Sequence, residues 1–164
     1  MRLRIEDLVT MQKELDERIF ILHNVSRLST RQERLLALLV ELGEMINETK
    51  SFKYWSLKPA SNKEIILEEY GDGIHFFLSL GIDLNDSDRF KESSDIKDES
   101  LNSMSLILYH KLSNLAFDFN KQRYDEAFAL YLQIGEQLGF TPEDIRRYYL
   151  MKNEINHQRQ NQQY

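Results

Sequence analysis

The chain has 164 residues, of which 41% are hydrophobic and 29% charged, a balance typical of one globular domain that can bury a sizeable core. Its formal net charge of −6 argues against a nucleic-acid polymer or an anionic membrane as partner, because surplus lysine and arginine usually bind such phosphates. The absence of cysteine excludes disulfides, thiolate metal sites and cysteine nucleophiles. No apolar run is long enough to span a bilayer, and residues 1–10 lack a signal-peptide hydrophobic region, so we expect a cytoplasmic protein.

Apolar residues recur at helical rather than alternating spacing along most of the chain, which predicts an all-α fold, a bundle of about six helices. The first helix is predicted from about Ile5 to Leu22. Its core stripe is predicted to consist of Leu8, Met11, Leu15, Ile19 and Leu22.

The second and third helices are predicted from their start signals. Thr30 and Glu33 have the spacing of a capping box, and the helical pattern continues from there to about Trp55. Ser61 and Glu64 repeat that spacing and open a third helix that ends near residue 81. Residues 82–100 are polar and charged, so we expect a loop or insertion there, the most mobile segment of the chain.

Helical periodicity resumes in residues 101–119 and 124–140, which we expect to form a hairpin with a break near Asn120. The last helix has the clearest start, Thr141-Pro142-Glu143-Asp144, with a capping hydroxyl, proline in the first helical position and acids in the first turn. No linker divides the chain, so residues 1–164 are predicted to be a single domain.

Two pairs of carboxylates have the same internal spacing: Glu41 and Glu44 in ELGE, and Glu69 and Asp72 in EYGD. Residues three apart share a helix face, so two packed helices can bring all four acids together. Mg²⁺ prefers oxygen ligands and is commonly held by carboxylates together with substrate phosphates. A cation also removes the repulsion between clustered acids. The spacing therefore predicts a magnesium site; the alternative is that these acids lie on solvated helix faces.

The surroundings of the acids favour the metal site. Apolar residues flank both pairs, and glycines at positions 43, 71 and 73 should each cost a helix about 1 kcal/mol relative to alanine. Close helix approach or a bulky ligand would explain these glycines. Glu48 and Glu68 lie on nearby turns and are candidates for additional ligands or supporting groups.

Two further clusters suggest contacts to a nucleotide. Residues 52–56 combine Lys53 with aromatic surface, including Trp55, on which a nucleobase can stack; alternatively, the aromatic residues belong to the core. Lys152, Asn156 and Arg159 share one face of the last helix and could clamp a phosphate; alternatively, this is a solvated helix with incidental charge.

Taken in order, ELGEMINETKSFKYW, LEEYGDGIHFFLSLGI and YYLMKNEINHQRQNQQY resemble the three signature regions of the dimeric all-α dUTPases. These belong to the wider all-α nucleoside triphosphate pyrophosphohydrolases, which include the MazG-type enzymes. The N-terminal MQKELDERI resembles the first helix of the family. The resemblance implies hydrolysis of dUTP, and of dUDP, to dUMP with two or more Mg²⁺ ions per site. The implied metal ligands are Glu41, Glu44, Glu69 and Asp72.

The resemblance also implies roles for individual residues. Water would attack the α-phosphorus, with catalysis by Glu41 and Glu44 and with Glu44 as the preferred base. The distal phosphates would be held by Lys53, Lys152, Asn156 and Arg159. Trp55 would help to enclose the nucleoside, Gln12 and Asp16 would line its pocket, and His75 would reach the sugar. Alternatively, His75 is a core histidine with satisfied hydrogen bonds.

Two departures from the family pattern are visible. The chain has Gln163 where family members commonly have a glycine before the closing tyrosine, so a different terminal turn is expected. Met45 stands where the family often has an aromatic residue, a change that we expect to affect packing more than chemistry.

Two other functions stay open on the sequence. One is a related pyrophosphohydrolase with another base preference, such as dCTP or damaged nucleotides. The other is a helical interaction module whose segment 82–100 binds a regulatory protein, a role that can coexist with the enzyme. The apolar helices carry more hydrophobic surface than one thin bundle easily hides, so we expect a homodimer.

Overall fold

In a computed structural model, which describes residues 1–162, six helices account for most of the chain. They are α1 (Glu6–Leu22), α2 (Arg31–Thr49), α3 (Lys63–Asp83), α4 (Leu101–Phe117), α5 (Lys121–Gln137) and α6 (Pro142–Asn161). The predicted all-α fold is therefore confirmed. Within the described residues, no helix combines the length and apolar character that crossing a bilayer requires.

A two-stranded antiparallel ribbon accompanies the helices. Strand β1 (Arg2–Arg4) pairs with β2 (Phe90–Glu92), and Leu3 lies opposite Lys91. The sequence did not predict this ribbon because three residues are too few for an alternating pattern to be recognised. Segment 82–100 is thus more than a loop: its first two residues belong to α3, and it contains β2. The buried Lys91 also attaches it to α5 through an ion pair of 2.9 Å with Asp125.

Helix α3 lies at the centre of the bundle and contacts α1, α2, α5 and α6. Its side chains at Tyr70, Ile74 and Phe77 are completely buried, as expected of a helix that is apolar on several faces. Any functional group on the α2 or α6 side of α3 is therefore held between helices rather than on a loop.

Reciprocal tyrosine contacts join α3 to α5. The Tyr70 hydroxyl donates to the Tyr131 carbonyl at 2.9 Å, the Tyr131 hydroxyl donates to the Tyr70 carbonyl at 2.7 Å, and the two rings stack 4.3 Å apart. A Cβ atom at Gly73 would lie 2.2 Å from the Tyr131 hydroxyl oxygen. Close helix approach is therefore the reason for glycine at position 73.

Helix α2 is shorter than the sequence predicted. It ends at Thr49, followed by Lys50 in the left-handed conformation with φ of 56°, and the chain around Trp55 forms turns. The predicted end of this helix near Trp55 was therefore wrong. A left-handed residue other than glycine or asparagine, such as Lys50, gives little sequence signal for a helix end. The capping box expected at Thr30 and Glu33 is also absent, since the Thr30 side chain makes no cap bond.

The start of α3 is shifted by one residue from the prediction. Asn62, rather than Ser61, caps the helix by accepting a hydrogen bond from the Ile65 amide at 3.0 Å. The Ser61 hydroxyl is engaged elsewhere, as a hydrogen-bond partner of Glu48. The start of α6 is as predicted, with a complete capping box between Thr141 and Asp144.

The buried face of α1 departs from the predicted apolar stripe. Leu8 and Leu15 are buried as expected, but Leu22 is exposed, and two polar side chains, Gln12 and Asp16, are buried on the helix. Buried polar groups need partners, and these two lie in the pocket described next.

Candidate active site

Three carboxylates meet where α2 packs against α3. Glu41, Glu69 and Asp72 each offer one oxygen, and these three oxygens all lie within 4.8 Å of one another. Glu44, one turn along α2, is more exposed and falls outside this group of three, but it lies within hydrogen-bonding reach of Glu41 and Glu69. The equal spacing in the two sequence pairs thus corresponds to two helix faces that meet.

The proximity of these acids disfavours their charged forms. Burial, together with the negative charges of Asp72 and Glu44, raises the pKa of Glu41 to about 8. Burial and Glu44 raise the pKa of Glu69 to about 7. Burial also raises the pKa of Asp72, although Lys152, with Nζ 3.3 Å from Asp72 Oδ2, opposes this. Without a cation, the cluster therefore holds protons at neutral pH.

The residues present fit a hard divalent cation. Glu41 Oε2 is buried and has no hydrogen-bond partner among residues 1–162, a state that is costly for a carboxylate oxygen. All the converging donors are carboxylate oxygens, which suit Mg²⁺, Ca²⁺ or Mn²⁺ better than softer metals. A cation bound here would satisfy the orphaned oxygen and remove the repulsion among the acids.

A second acidic group differs in one important respect. Asp86, Asp88 and Asp125 also bring oxygens within 4.8 Å of one another. However, Lys91 lies 2.7 to 2.9 Å from all three, and Lys121 pairs with them as well. Two ammonium groups already supply the positive charge there, so this group is a structural ion-pair network.

A pocket of about 200 Å³ adjoins the carboxylates between α1, α2, α3 and α6. Two members of the acidic cluster, Glu41 and Asp72, form part of its wall. Six other side chains that the sequence singled out also line it: Gln12, Asp16, His75, Lys152, Asn156 and Arg159. Helices far apart in the sequence thus bring eight of the twelve candidate site residues to one pocket.

The α6 side of the pocket carries two cationic groups, those of Lys152 and Arg159. Lys152 lies 3.3 Å from Asp72 and 3.6 Å from Glu68, so its ammonium group stands at the boundary between the acids and the pocket. Arg159 Nη1 is 3.5 Å from Asn156 Oδ1. Glu68, considered as a supporting acid, therefore contacts a lysine, and Glu48 is held by the Ser61 hydroxyl instead.

Four candidate residues do not line this pocket: Glu44 and Glu69 belong to the adjoining acidic cluster, whereas two others lie outside both. Lys53 and Trp55 lie in the connection between α2 and α3 and do not line the pocket. Trp55 is 64% exposed and packs edge-on against Phe52 and Tyr54, so the alternative of a core aromatic is wrong for it. The expected change in the terminal turn concerns Gln163 and Tyr164, which lie outside the described residues.

Four residues that sequence reasoning missed complete the pocket or its supports. Arg34 and Ser79 line it, while Arg27 and Tyr149 bond to its polar side chains. The arginine spacing at 27, 31 and 34 was a usable signal, because basic residues at helical intervals before an apolar helix are unusual in an acidic chain. Ser79 and Tyr149 gave no signal, since they sit in ordinary helical positions.

A carboxylate cluster beside a pocket that is also lined by lysine and arginine is the arrangement of an enzyme that acts on a phosphorylated substrate. Together with the all-helical bundle, this site defines the class of protein as a helical phosphohydrolase. A family model described as dUTPase matches residues 4–164, so the chain belongs to the dUTPase family and hydrolyses dUTP to dUMP. No curated protein matches the chain closely enough to count as a relative.

Proposed function

We propose that this dUTP diphosphatase requires Mg²⁺ and that Glu41, Glu44, Glu69 and Asp72 hold it. The observation that carries the proposal is the buried Oε2 of Glu41, which has no partner among the described residues and lies in a cluster where the pKa values of Glu41, Glu69 and Asp72 are raised. When bound, Mg²⁺ supplies positive charge for the phosphates and makes water more acidic. Two or more ions per site are compatible with four carboxylates, each of which has two oxygens.

The two ends of the pocket suggest how the nucleotide lies. Lys152, next to Asp72, and Arg159 place positive charge beside the acids, so this end suits the phosphates. Gln12 and His75 line the same pocket and carry groups that can form hydrogen bonds, so we place the nucleoside against them. This orientation puts the α-phosphate between the nucleoside side chains and the cationic α6 face.

We assign the general base to Glu44. It is the most exposed of the four acids, so water can reach its carboxylate, while its closeness to Glu41 and Glu69 keeps it at the cluster. The water oxygen forms a bond to the α-phosphorus, the bond to the bridging oxygen breaks, and the water proton passes to Glu44. Pyrophosphate leaves from dUTP, and phosphate would leave from dUDP by the same step.

Calorimetric titration tests the metal requirement directly. A non-hydrolysable dUTP analogue is titrated into the protein in EDTA, in Mg²⁺ and in Ca²⁺. We expect binding in Mg²⁺ to be at least about tenfold tighter than in EDTA, because Mg²⁺ bridges phosphates and carboxylates. Equal affinity in EDTA and in Mg²⁺ would contradict the proposal.

Turnover of several nucleotides tests the substrate range. Pyrophosphate release is measured with dUTP, dCTP and dTTP, and phosphate release with dUDP. We expect dUTP to have the highest kcat/KM of the triphosphates and dUDP to be hydrolysed. If dUDP is bound but not hydrolysed, the proposed diphosphate activity is wrong although the triphosphate activity stands.

We also propose that the protein is a homodimer. Exposed apolar side chains surround a groove of about 510 Å³ between α2 and α4, among them Leu36, 61% exposed, and Phe117, 91% exposed. An apolar surface of this kind favours association. Light scattering should show a dimer for the wild type and a monomer for Leu36→Glu. Leu150→Glu, a matched change on the exposed face of α6, should leave the dimer intact.

A further inference from the structure

At the end of the pocket where we place the nucleoside, both carboxylate oxygens of Asp16 accept hydrogen bonds. Asp16 Oδ1 accepts a hydrogen bond of 2.8 Å from Gln12 Nε2. Asp16 Oδ2 accepts from the Ser79 hydroxyl at 2.7 Å and from Arg27 Nη2 at 2.8 Å. Because an ionised carboxylate can only accept, the Gln12 atom that faces it must be the amide nitrogen. Asp16 therefore determines which way the Gln12 amide is turned.

The other end of the same amide is also occupied. Gln12 Oε1 accepts from the Tyr149 hydroxyl at 2.9 Å and lies 2.8 Å from His75 Nδ1. Burial, together with the nearby charge of Lys152, lowers the pKa of His75 to about 3, so its ring is neutral and Nδ1 must carry the proton that it donates to Gln12. Two donors fill Oε1, and the amide has only one N–H left. Gln12 can thus offer the pocket a donor but no acceptor.

Arg27 connects this arrangement to the rest of the fold. It lies in the turn between α1 and α2, and its Nη1 donates to the Ser79 carbonyl at 2.9 Å and to Asp83 Oδ1 at 3.0 Å. The Asp83 side chain is fully buried and also binds Arg31 at 2.9 Å. Arg27 thus bonds both to the buried Asp83 and to Asp16.

We propose that Arg27 is a positioning residue for base selection, which acts by holding Asp16 so that the Gln12 amide presents its N–H to the pocket. The inference rests on the proposed placement of the nucleoside against Gln12. A fixed N–H donor suits a carbonyl oxygen, which uracil has at the position where cytosine has an amino group. An amino group there would set donor against donor and leave a buried group unpaired, which selects strongly against the wrong base.

Arg27→Met tests this role, because methionine keeps the apolar stem and removes every donor. Arg31→Met is the matched control: Arg31 binds the same Asp83 and is similarly exposed, at 33% against 22% for Arg27, but it makes no bond to Asp16. The kinetic constants for dUTP and dCTP are measured in Mg²⁺ for each variant. Melting curves and light scattering confirm that both variants are folded and assembled like the wild type.

We expect Arg27→Met to raise KM for dUTP about tenfold and to lower the preference for dUTP over dCTP about tenfold or more, with a smaller fall in kcat, since a lost charge-assisted bond relaxes one binding contact. Arg27→Lys should restore part of the preference, because it can reach one of the partners. Arg31→Met should keep the wild-type preference. Unchanged preference in folded Arg27→Met, or equal loss in Arg31→Met, would overturn the proposal.

A smaller perturbation covers the case in which Arg27→Met does not fold. Ser79→Ala removes one of the two bonds to Asp16 Oδ2 and leaves the arginine in place. It should lower the dUTP preference about threefold, and an unchanged preference would overturn the positioning role. Failure of the proposed function is a different result, because the wild type itself would then bind the analogue equally with and without Mg²⁺.

Discussion

The substitution Glu41→Gln is expected to stabilise the metal-free protein while abolishing its response to Mg²⁺. The rise of the Glu41 pKa from 4.5 to about 8 corresponds to about 5 kcal/mol, at about 1.4 kcal/mol per pKa unit. Because the side chain is only half-buried, solvent screening reduces this, and we expect about 2 kcal/mol. Glutamine keeps the shape and removes the charge that causes this destabilisation.

The effect depends on pH in a defined direction. A carboxyl whose pKa is raised in the folded state contributes its full stability below its unfolded pKa and loses it as the pH rises through the folded value. For Glu41 the loss falls between pH 4.5 and about 8. The metal-free wild type should therefore melt at a lower temperature at about pH 8.5 than at about pH 5.5, and Glu41→Gln should show less of this decrease.

Thermal melts of wild type and variant in EDTA and in Mg²⁺ measure both effects. At about pH 8.5 in EDTA, Glu41→Gln should melt about 4–8 °C above the wild type, since about 1 kcal/mol shifts Tm by about 2–4 °C at this chain length. Mg²⁺ should raise Tm of the wild type far more than that of the variant, because a ligand of the cation has been lost. Glu14→Gln, an exposed change on α1, is the control and should change neither quantity.

Two results would refute the reasoning about the acidic cluster. If Glu41→Gln melts below the wild type in EDTA at about pH 8.5, the acids do not repel one another as their spacing requires. If the variant gains as much from Mg²⁺ as the wild type does, Glu41 is not a ligand.

Three further predictions concern catalysis, packing and phosphate binding. Glu44→Gln should lower kcat about 10²- to 10⁴-fold, as loss of a general base does, with an unchanged helical circular dichroism spectrum; turnover close to the wild type would remove Glu44 from that role. Gly73→Ala should lower the free energy of unfolding by about 1–3 kcal/mol in urea, because its Cβ would lie 2.2 Å from the Tyr131 hydroxyl, whereas Gly71→Ala, with its nearest contact at 3.5 Å, should be neutral or mildly stabilising. Lys152→Met should raise KM for dUTP more than it raises the dissociation constant of deoxyuridine, measured by calorimetry, since the ammonium group would contact phosphate only.

Much of the fold and part of the site could be predicted because they depend on local pattern. Helical periodicity located all six helices, and the complete start signal at Thr141 located α6 to the residue. The three-residue spacing of Glu41 with Glu44, and of Glu69 with Asp72, was informative because spacing fixes which side of a helix a residue occupies. It could not show that Glu44 would be the outlying member, since that depends on how α2 is rotated against α3.

The remaining features depend on contacts between distant segments, which spacing does not report. The pairing of β1 with β2 joins residues about 90 positions apart in the chain. The burial of Asp16 depends on Arg27 and Ser79, which come from two other segments. The end of α2 depended on a single left-handed residue, Lys50, and this misplaced Trp55 as part of a helix.

The buried tyrosines provide an optical probe of unfolding. Of the eight tyrosines in the chain, Tyr70, Tyr124, Tyr131 and Tyr149 are completely buried. Burial raises the pKa of each well above the ordinary value of 10. At a pH somewhat above 10, these four phenols stay protonated while the bundle is intact and ionise when it opens, because an exposed tyrosine has a pKa of about 10. Because phenolate absorbs at longer wavelength than phenol, ultraviolet absorbance after a rapid jump in pH follows the opening of the core in real time, without an added label.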